Sequence, residues 1–241
     1  MSVDARHDRA GRLMRAEAVA ADVWLYTLAL DAPLVFHAGP FVNVAVPGAA
    51  PRGERSYSVW SSPDDAARAE APVVQLCVKR FPGGAASEMF GAAQLGDVWR
   101  LRGPFGVCRL QPGVDTCVFV ATSTGLAPFH AMLRAIASGS LSPPSRIHLY
   151  FGVRSEADLF GVAELDALTA AVPGFTWSLH LSRPSAPGAT AERVTTAVDR
   201  DHPTPNAHFW LCGNGAMIDE VRLMLKARGL DRRHIHVERY W

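Results

Sequence analysis

The sequence has no excess of charge of either sign: 24 lysines and arginines stand against 23 aspartates and glutamates, a formal net charge of +1. Nucleic-acid and anionic-membrane surfaces rely on a basic excess to neutralise phosphates, so neither partner is expected. No apolar run approaches the ~18 residues of a membrane-spanning helix. The opening "MSVDARHDRAGR" lacks the apolar segment and small-residue cleavage site of a secretory leader. A soluble, cytoplasmic chain is the expectation. Cysteine is scarce: Cys77, Cys108, Cys117 and Cys212 are the four, and no two stand at the close spacing of a zinc or iron–sulfur loop. Free thiols and no metal site follow, and His234 and His236, flanking Ile235, read as surface residues of a strand. Also missing is the G-x-G-x-x-G fingerprint, which removes the ordinary dinucleotide-binding reading.

What is present is a composition able to bury a core, 49% hydrophobic and 20% charged over 241 residues. Such a length suits one large domain or two small ones. Up to about residue 112 the chain reads as short strands, "VWLYTLAL", "FVNVAV", "RSYSVW", "VVQLCVKR" and "DVWRLRG", punctuated by "DAP", "PGAAPRG" and "FPGG". Strands so spaced, without long helical stretches, predict a small antiparallel barrel or sandwich. The segment 64–72, "DDAARAEAP", reads as a loop whose alanines could form one helical turn.

The pattern changes after "QPG" at 111–113. "CVFVAT" is a continuous apolar run, as in a strand buried on both faces of a parallel sheet. "LAPFHAMLRAIASG" follows as a helix, with Pro128 in its first turn and Gly139 at its end. "RIHLYFG", "TWSLHLS" and "HFWLCG" are further strands, and helices are expected around 157–171, 190–199 and 215–228. The alternation predicts a doubly wound α/β domain. It also puts "ATSTG" (121–125) and "CGNG" (212–215) at carboxyl ends of strands, where open sheets bind ligands and helix N-termini suit phosphate. Glycine in either turn could equally do no more than relieve backbone strain.

One stretch of the first half resists a purely structural explanation. "RSYSVWSSP", 55–63, puts a guanidinium, a phenol and several hydroxyls on one extended segment. It is either an edge strand running into a turn or a surface for a ligand with phosphate, a flat ring and hydrogen-bonding atoms.

Together "RSYS", "ATSTGLAP", "LCGNGAMI" and the closing "VERYW" resemble, in order, the motifs of the ferredoxin–NADP reductase family, over nearly the whole chain. The resemblance implies an N-terminal antiparallel β-barrel that binds FAD, residues 1–112, and a C-terminal doubly wound α/β domain that binds NADP, residues 113–241. In the signature Arg55, Ser56, Tyr57 and Ser58, Arg55 would face the FAD pyrophosphate, Tyr57 would lie against the isoalloxazine, and Ser58 would sit near flavin N5. Cys77, Val78 and Lys79 resemble the neighbouring flavin-contacting strand. Gly84, Ala85, Ala86 and Ser87 resemble the turn whose N–H groups meet pyrophosphate, with Ser87 alternatively a helix N-cap. Thr124 joins the cofactor-binding set.

The resemblance stacks Tyr240 on the ring face that nicotinamide approaches, with Trp241 extending the cover. Thr122, Gly125, Gly213 and Met217 fall on the NADP side. Cys212 would stand beside the transferring C4 carbon as a positioning residue, and Glu238 near the nicotinamide and the acceptor. Ser58, Cys212, Glu238 and Tyr240 are thus the candidate catalytic residues. The reaction implied is hydride transfer between nicotinamide and flavin, followed by release of single electrons.

Arg154, Arg183 and Arg193, with Ser182, fall where relatives bind the 2′-phosphate, which favours NADPH over NADH. "GPFG" (103–106) looks more like plant-type or oxygenase-reductase members than the bacterial subclass, "SRP" (182–184) replaces the commoner Ser-Arg-Glu, and NADH is the alternative. With neither the length nor the cysteine spacing for a fused ferredoxin, electrons are expected to pass to separate ferredoxin or flavodoxin. The alternatives are an oxygenase component as acceptor, a free-flavin reductase, or a non-catalytic flavin-binding sensor or assembly subunit. A monomer is expected.

Overall fold

The structure, a computed structural model, describes residues 7–49, 53–68, 70–186, 188–201 and 206–240. The chain divides into two compact units, Met1–Arg109 and Leu110–Trp241.

The first unit holds strands β1 (His7–Ala18), β2 (Val23–Leu30), β3 (Phe41–Ala45), β4 (Glu54–Ser58), β5 (Val73–Lys79) and β6 (Val98–Phe105), with helices α1 (Pro63–Ala67) and α2 (Ala85–Ala92). They form one antiparallel sheet in the order β4-β3-β6-β1-β2-β5. The two edges meet: beyond β4, Val59 bridges Leu76 and the Trp60 N–H donates to the Gln75 carbonyl at 2.8 Å. The sheet therefore closes into a barrel, which removes its exposed edges. Period-2 alternation supplies the lining, with Val42 and Val44 on β3 and Val74, Leu76 and Val78 on β5 all buried.

Strand β1 was absent from the sequence expectation. Its inward positions include Gly11 and Leu13, a bulge interrupts its pairing with β2 between Leu13 and Arg15, and arginines fill much of the rest. Alternation is broken where a reader would look for it. The segment 64–72 does form a helical turn at its start, α1, whose N-cap Ser62 accepts from the Asp64 N–H at 3.3 Å.

The second unit holds β7 (Thr116–Thr122), α3 (Ala127–Ala137), β8 (Arg146–Val153), α4 (Val162–Ala171), β9 (Phe175–Leu181), α5 (Val194–Arg200), β10 (His208–Asn214), α6 (Gly215–Ala227) and β11 (Ile235–Tyr240). All five strands are parallel, in the order β11-β10-β7-β8-β9. Residues of β7 face both ways. Val118 and Val120 share a core with α5 and α6, whereas Phe119 stacks on Phe129 of α3 at 4.5 Å. Helices thus cover both faces, and the strand order reverses between β7 and β10. That switch point is where open α/β sheets leave a crevice for ligands.

Two helices begin later than the sequence suggested. Gly161, at φ +72°, breaks the stretch 157–171, leaving a short turn at Glu156–Asp158 ahead of α4. Residues 190–193 stay outside α5, which begins at Val194: the Glu192 backbone N–H is spent on the Leu181 carbonyl at 2.9 Å. The histidines differ too. His234 and His236 are half-buried and gather with His208, His234 stacking on it at 4.1 Å and His236 hydrogen-bonded to it at 3.1 Å. Among the described residues no group of three or more His, Cys, Asp or Glu is arranged to hold a metal.

Candidate functional site

The turns after β7 and β10 meet at the switch point. Thr122 ends β7, and its Oγ1 accepts the Asn214 N–H at 2.9 Å, tying the two turns together. Glycine is required on both sides. A Cβ on Gly125 would stand 2.8 Å from the Gly213 Cα and still closer to the Cys212 carbonyl. A Cβ on Gly213, where φ is +124°, would stand 2.6 Å from the Thr122 carbonyl oxygen. Backbones this close leave each turn free to open a helix. Asn214 caps α6, its Oδ1 accepting from Ala216 N–H at 2.9 Å and Met217 N–H at 3.4 Å. Thr124 is buried in the turn before α3, and Met217 is buried in the first turn of α6.

Cys212 is completely buried, paired in register with Ala121 of β7 on one side and Glu238 of β11 on the other. Glu238 is buried as well. The backbone of Tyr240 continues β11 opposite Asn214; its side chain, and Trp241, lie outside the described residues.

The expected phosphate-reading residues stand at the outer strands. Arg154 and Arg183 follow β8 and β9, are exposed, and are joined through the Arg183 N–H, which donates to the Arg154 carbonyl at 2.7 Å. Ser182 turns inward, its Oγ donating to the Val153 carbonyl at 3.4 Å. Arg193, the N-cap residue of α5, is already engaged in a forked ion pair with Glu220 at 2.7 and 3.4 Å. A groove of about 740 Å³ runs along this edge, lined by Ser182, Pro184, Thr190, Glu192, Arg193 and Thr196 among others.

In the first unit β4 presents its signature residues in graded exposure. Arg55 and Ser56 are exposed, Tyr57 is half-buried and Ser58 is buried. The Arg55 guanidinium donates to the Glu54 carbonyl at 2.8 Å, and Ser56 Oγ donates to Asn43 Oδ1 at 2.7 Å. Tyr57 meets Phe90 of α2 edge-on at 5.0 Å, and burial pushes its phenol up to about 12. Phe90 is gripped from below by Tyr26, whose hydroxyl donates to the Phe90 carbonyl at 2.8 Å, and by Trp99 at 5.0 Å. The Arg80 guanidinium lies 5.0 Å over Trp24 and directly under Gly91. On β5, Cys77 and Val78 are buried, and burial raises the Cys77 thiol well above its ordinary value. Lys79 pairs with Asp22 at 3.0 Å.

The residue that caps α2 is Gly84, not Ser87. Gly84 offers no side-chain cap, and Ser87, three residues inside, accepts from the Phe81 N–H at 2.7 Å and folds that loop back. The first-turn N–H groups around Ala85 and Ala86 are thus left without a side-chain cap, the arrangement that suits a phosphate. A half-buried phenol packed on Phe90 of a helix whose start is uncapped fits a flavin nucleotide. The glycine-tight double turn fits a nicotinamide nucleotide.

Sequence reasoning missed several residues that shape these places. Glu156 accepts hydrogen bonds from Ser185 and Ala186, Glu220 neutralises Arg193, and Phe90 braces Tyr57. Only the first left a trace, as "SEAD" (155–158) matches a capping-box pattern.

A two-domain oxidoreductase carrying a flavin and using a nicotinamide nucleotide is the class these arrangements describe. The family model "Oxidoreductase FAD-binding domain" matches residues 10–109, and "Oxidoreductase NAD-binding domain" matches residues 119–223. The chain is 34% identical over 218 residues to ferredoxin–NADP reductase B of Sorangium cellulosum, spanning 86% of each protein. It is 32% identical to the reductase component of the naphthalene 1,2-dioxygenase/salicylate 5-hydroxylase systems of a Ralstonia species, over 91% of this chain and 65% of that one. A solved cytochrome P450 reductase from Amycolatopsis superposes with a TM-score of 0.83 at 31% identity, over 97% of this chain and 69% of that one. The chain belongs to the ferredoxin–NADP reductase family, and is an FAD-dependent oxidoreductase that passes electrons between a nicotinamide nucleotide and FAD.

No helix of the described residues is long and apolar enough to cross a membrane.

Proposed function

We propose that this chain takes a hydride from NADPH and delivers single electrons to a separate ferredoxin or flavodoxin, working as a cytoplasmic monomer. The observation that carries the nucleotide reading is the contact of two helix-opening turns at the sheet's switch point, where Gly125 and Gly213 admit backbone against backbone. FAD, when bound, supplies the conversion between hydride and single-electron chemistry.

The roles of the side chains follow from their chemistry. Arg55, exposed on β4, offers a forked guanidinium to pyrophosphate, and the uncapped N–H groups of α2 supply further donors. Tyr57, kept protonated and braced by Phe90, offers its ring to the isoalloxazine. Ser58 offers a hydroxyl to the flavin and Cys77, Val78 and Lys79 line its strand side. Ser56 belongs to the same signature, though its hydroxyl is spent on Asn43. Thr122, Gly125, Gly213 and Met217 form the nicotinamide-side crevice, and Thr124 belongs to the FAD-binding set. Cys212, wholly buried between its neighbours, orients the nicotinamide and does not attack it. Glu238 is the proton-handling candidate beside it, and Tyr240 with Trp241 the ring cover.

Arg154 and Arg183 read the 2′-phosphate, since both are exposed and linked at the backbone. Arg193 contributes less, because Glu220 already pairs with it.

A second reading, a reductase component that feeds an oxygenase, draws on the names of the Ralstonia and Amycolatopsis relatives. This chain spans only 65% and 69% of those proteins. The Sorangium relative, named a ferredoxin–NADP reductase and matched over 86% of both chains, favours the ferredoxin reading.

Anaerobic stopped-flow reduction of the FAD-loaded protein by NADPH and NADH in parallel tests the proposal. Bleaching at much lower NADPH than NADH is expected. Preference for NADH moves the chain to the oxygenase-reductase reading, and no bleaching with either coenzyme removes the enzymatic reading.

A further inference from the structure

Residues 182–186 leave β9 and residues 188–191 lead back towards α5, a connection fastened at three points. At its neck the Glu192 N–H donates to the Leu181 carbonyl at 2.9 Å, while the Glu192 carboxylate meets His180 Nδ1 at 2.8 Å and also Arg200. At its entry Ser182 and Arg183 N–H groups bond to the Val153 and Arg154 carbonyls at 3.1 and 2.7 Å. Farther along, the Glu156 carboxylate accepts from Ser185 N–H at 2.9 Å, Ser185 Oγ at 2.5 Å and Ala186 N–H at 3.3 Å.

Glu156 is itself held. Ser155 and Asp158 bracket it in a capping box, with Asp158 Oδ2 accepting from the Ser155 N–H at 3.0 Å and from Ser155 Oγ at 2.9 Å. Arg183 therefore sits between two fixed points, its own N–H on Arg154 and, two residues later, the Glu156 clamp.

We propose that Glu156 is a positioning residue for coenzyme selectivity, holding the 183–186 loop so that Arg183 stays beside Arg154 to receive the 2′-phosphate of NADPH. The proposal rests on the reading of those two arginines as phosphate readers. Its logic is preorganisation: a loop ordered before the ligand arrives spends less of the binding energy on being ordered. The clamp persists at working pH, because the hydrogen bonds from Ser185 and Ala186 hold the Glu156 carboxyl down to about 2. The same bonds occupy the carboxylate oxygens, so Glu156 is engaged by the loop before a ribose hydroxyl arrives.

The test measures binding of 2′,5′-ADP and 5′-AMP to the FAD-loaded protein by calorimetry, for wild type, Glu156→Ala, Glu156→Gln and Arg183→Ala. Glu156→Ala is expected to raise the Kd of 2′,5′-ADP roughly tenfold, the scale of one charge-assisted contact. The Kd of 5′-AMP should change less than about twofold. Glu156→Gln keeps an acceptor oxygen for Ser185 and should recover most of the loss. In turnover, KM for NADPH should rise with kcat little altered. Tighter 2′,5′-ADP binding by Glu156→Ala would show the carboxylate to be a repeller of phosphate and overturn the proposal. Equal losses for both ligands would reduce Glu156 to a general structural role and overturn it too. If Arg183→Ala leaves 2′,5′-ADP binding intact, the arginine reading fails and the proposal falls with it. If Arg183→Ala weakens binding and Glu156→Ala does not, only the positioning role falls.

Discussion

Gly125 and Cys212 lie so close that a Cβ on Gly125 would stand 2.5 Å from the Cys212 carbonyl carbon. Two turns of a parallel sheet are in backbone contact there, and no side chain can be inserted without moving β10 or the turn after β7. Gly125→Ala is expected to cost about 1–3 kcal/mol in urea denaturation, the usual penalty for overpacking. The same change should weaken NADPH binding more than it weakens FAD retention, because Gly125 and the FAD-signature residues belong to different compact units. Wild-type stability together with wild-type NADPH affinity would show that the close approach is not needed.

Phe90 stands at the centre of an aromatic cluster, 4.9 Å from Tyr26 and 5.0 Å from both Tyr57 and Trp99. Phe90→Ala removes a completely buried ring and should destabilise the first unit by about 3–5 kcal/mol. Because the ring also braces Tyr57, FAD should be lost during purification or in mild urea. Phe90→Leu, which fills much of the same space, should restore stability more fully than FAD affinity. Parallel recovery of both would assign Phe90 to packing alone.

Much of this architecture was legible in the sequence where the local signal and the tertiary outcome agree. The apolar run 117–122 became a strand buried on both faces, and Pro128 and Gly139 bound the helix they announced. Legibility failed where one side chain serves a distant partner. Strand β1 hid behind its bulge and its arginines. Residues 190–193 could not join α5 because Glu192 is committed to Leu181 and His180. Ser87 lies inside α2 and bonds backwards, a role no spacing rule separates from capping. Of the candidate site, the glycine turns were readable because steric demands act locally. The Glu220 partner of Arg193, 27 positions along the chain, was not.

His208 and His236, packed together with His234, are expected to give the second unit a pH dependence. Burial first, then the neighbouring His208 and His234, lowers His236 from 6.5 to about 4, and burial also lowers His208. The folded state therefore binds protons less readily than the unfolded chain. The corresponding stability is complete above about pH 6.5 and is lost as pH falls towards 4. Thermal melts from pH 7.5 to 5 should show wild-type Tm falling faster than that of His236→Gln, which cannot charge (values bracketing the ordinary histidine range). Parallel curves for the two proteins would remove the cluster from the acid response.

Arg154 and Arg183 are exposed and joined through one backbone hydrogen bond, so their guanidinium groups can converge on a single dianion. Each charge-assisted contact is worth roughly 1.5–3 kcal/mol, which corresponds to about tenfold to a hundredfold in affinity. The double replacement Arg154→Ala, Arg183→Ala should therefore weaken NADPH by at least about tenfold and leave NADH within about twofold. Arg193→Ala should cost less, since Glu220 already pairs with Arg193 and leaves it less charge to offer a phosphate. The check is flavin-bleaching rate against coenzyme concentration for each variant. Equal losses with both coenzymes would assign the arginines to the adenosine or to the loop. A larger loss in Arg193→Ala than in the double variant would move the phosphate to the other side of the groove, with Glu220 displaced on binding.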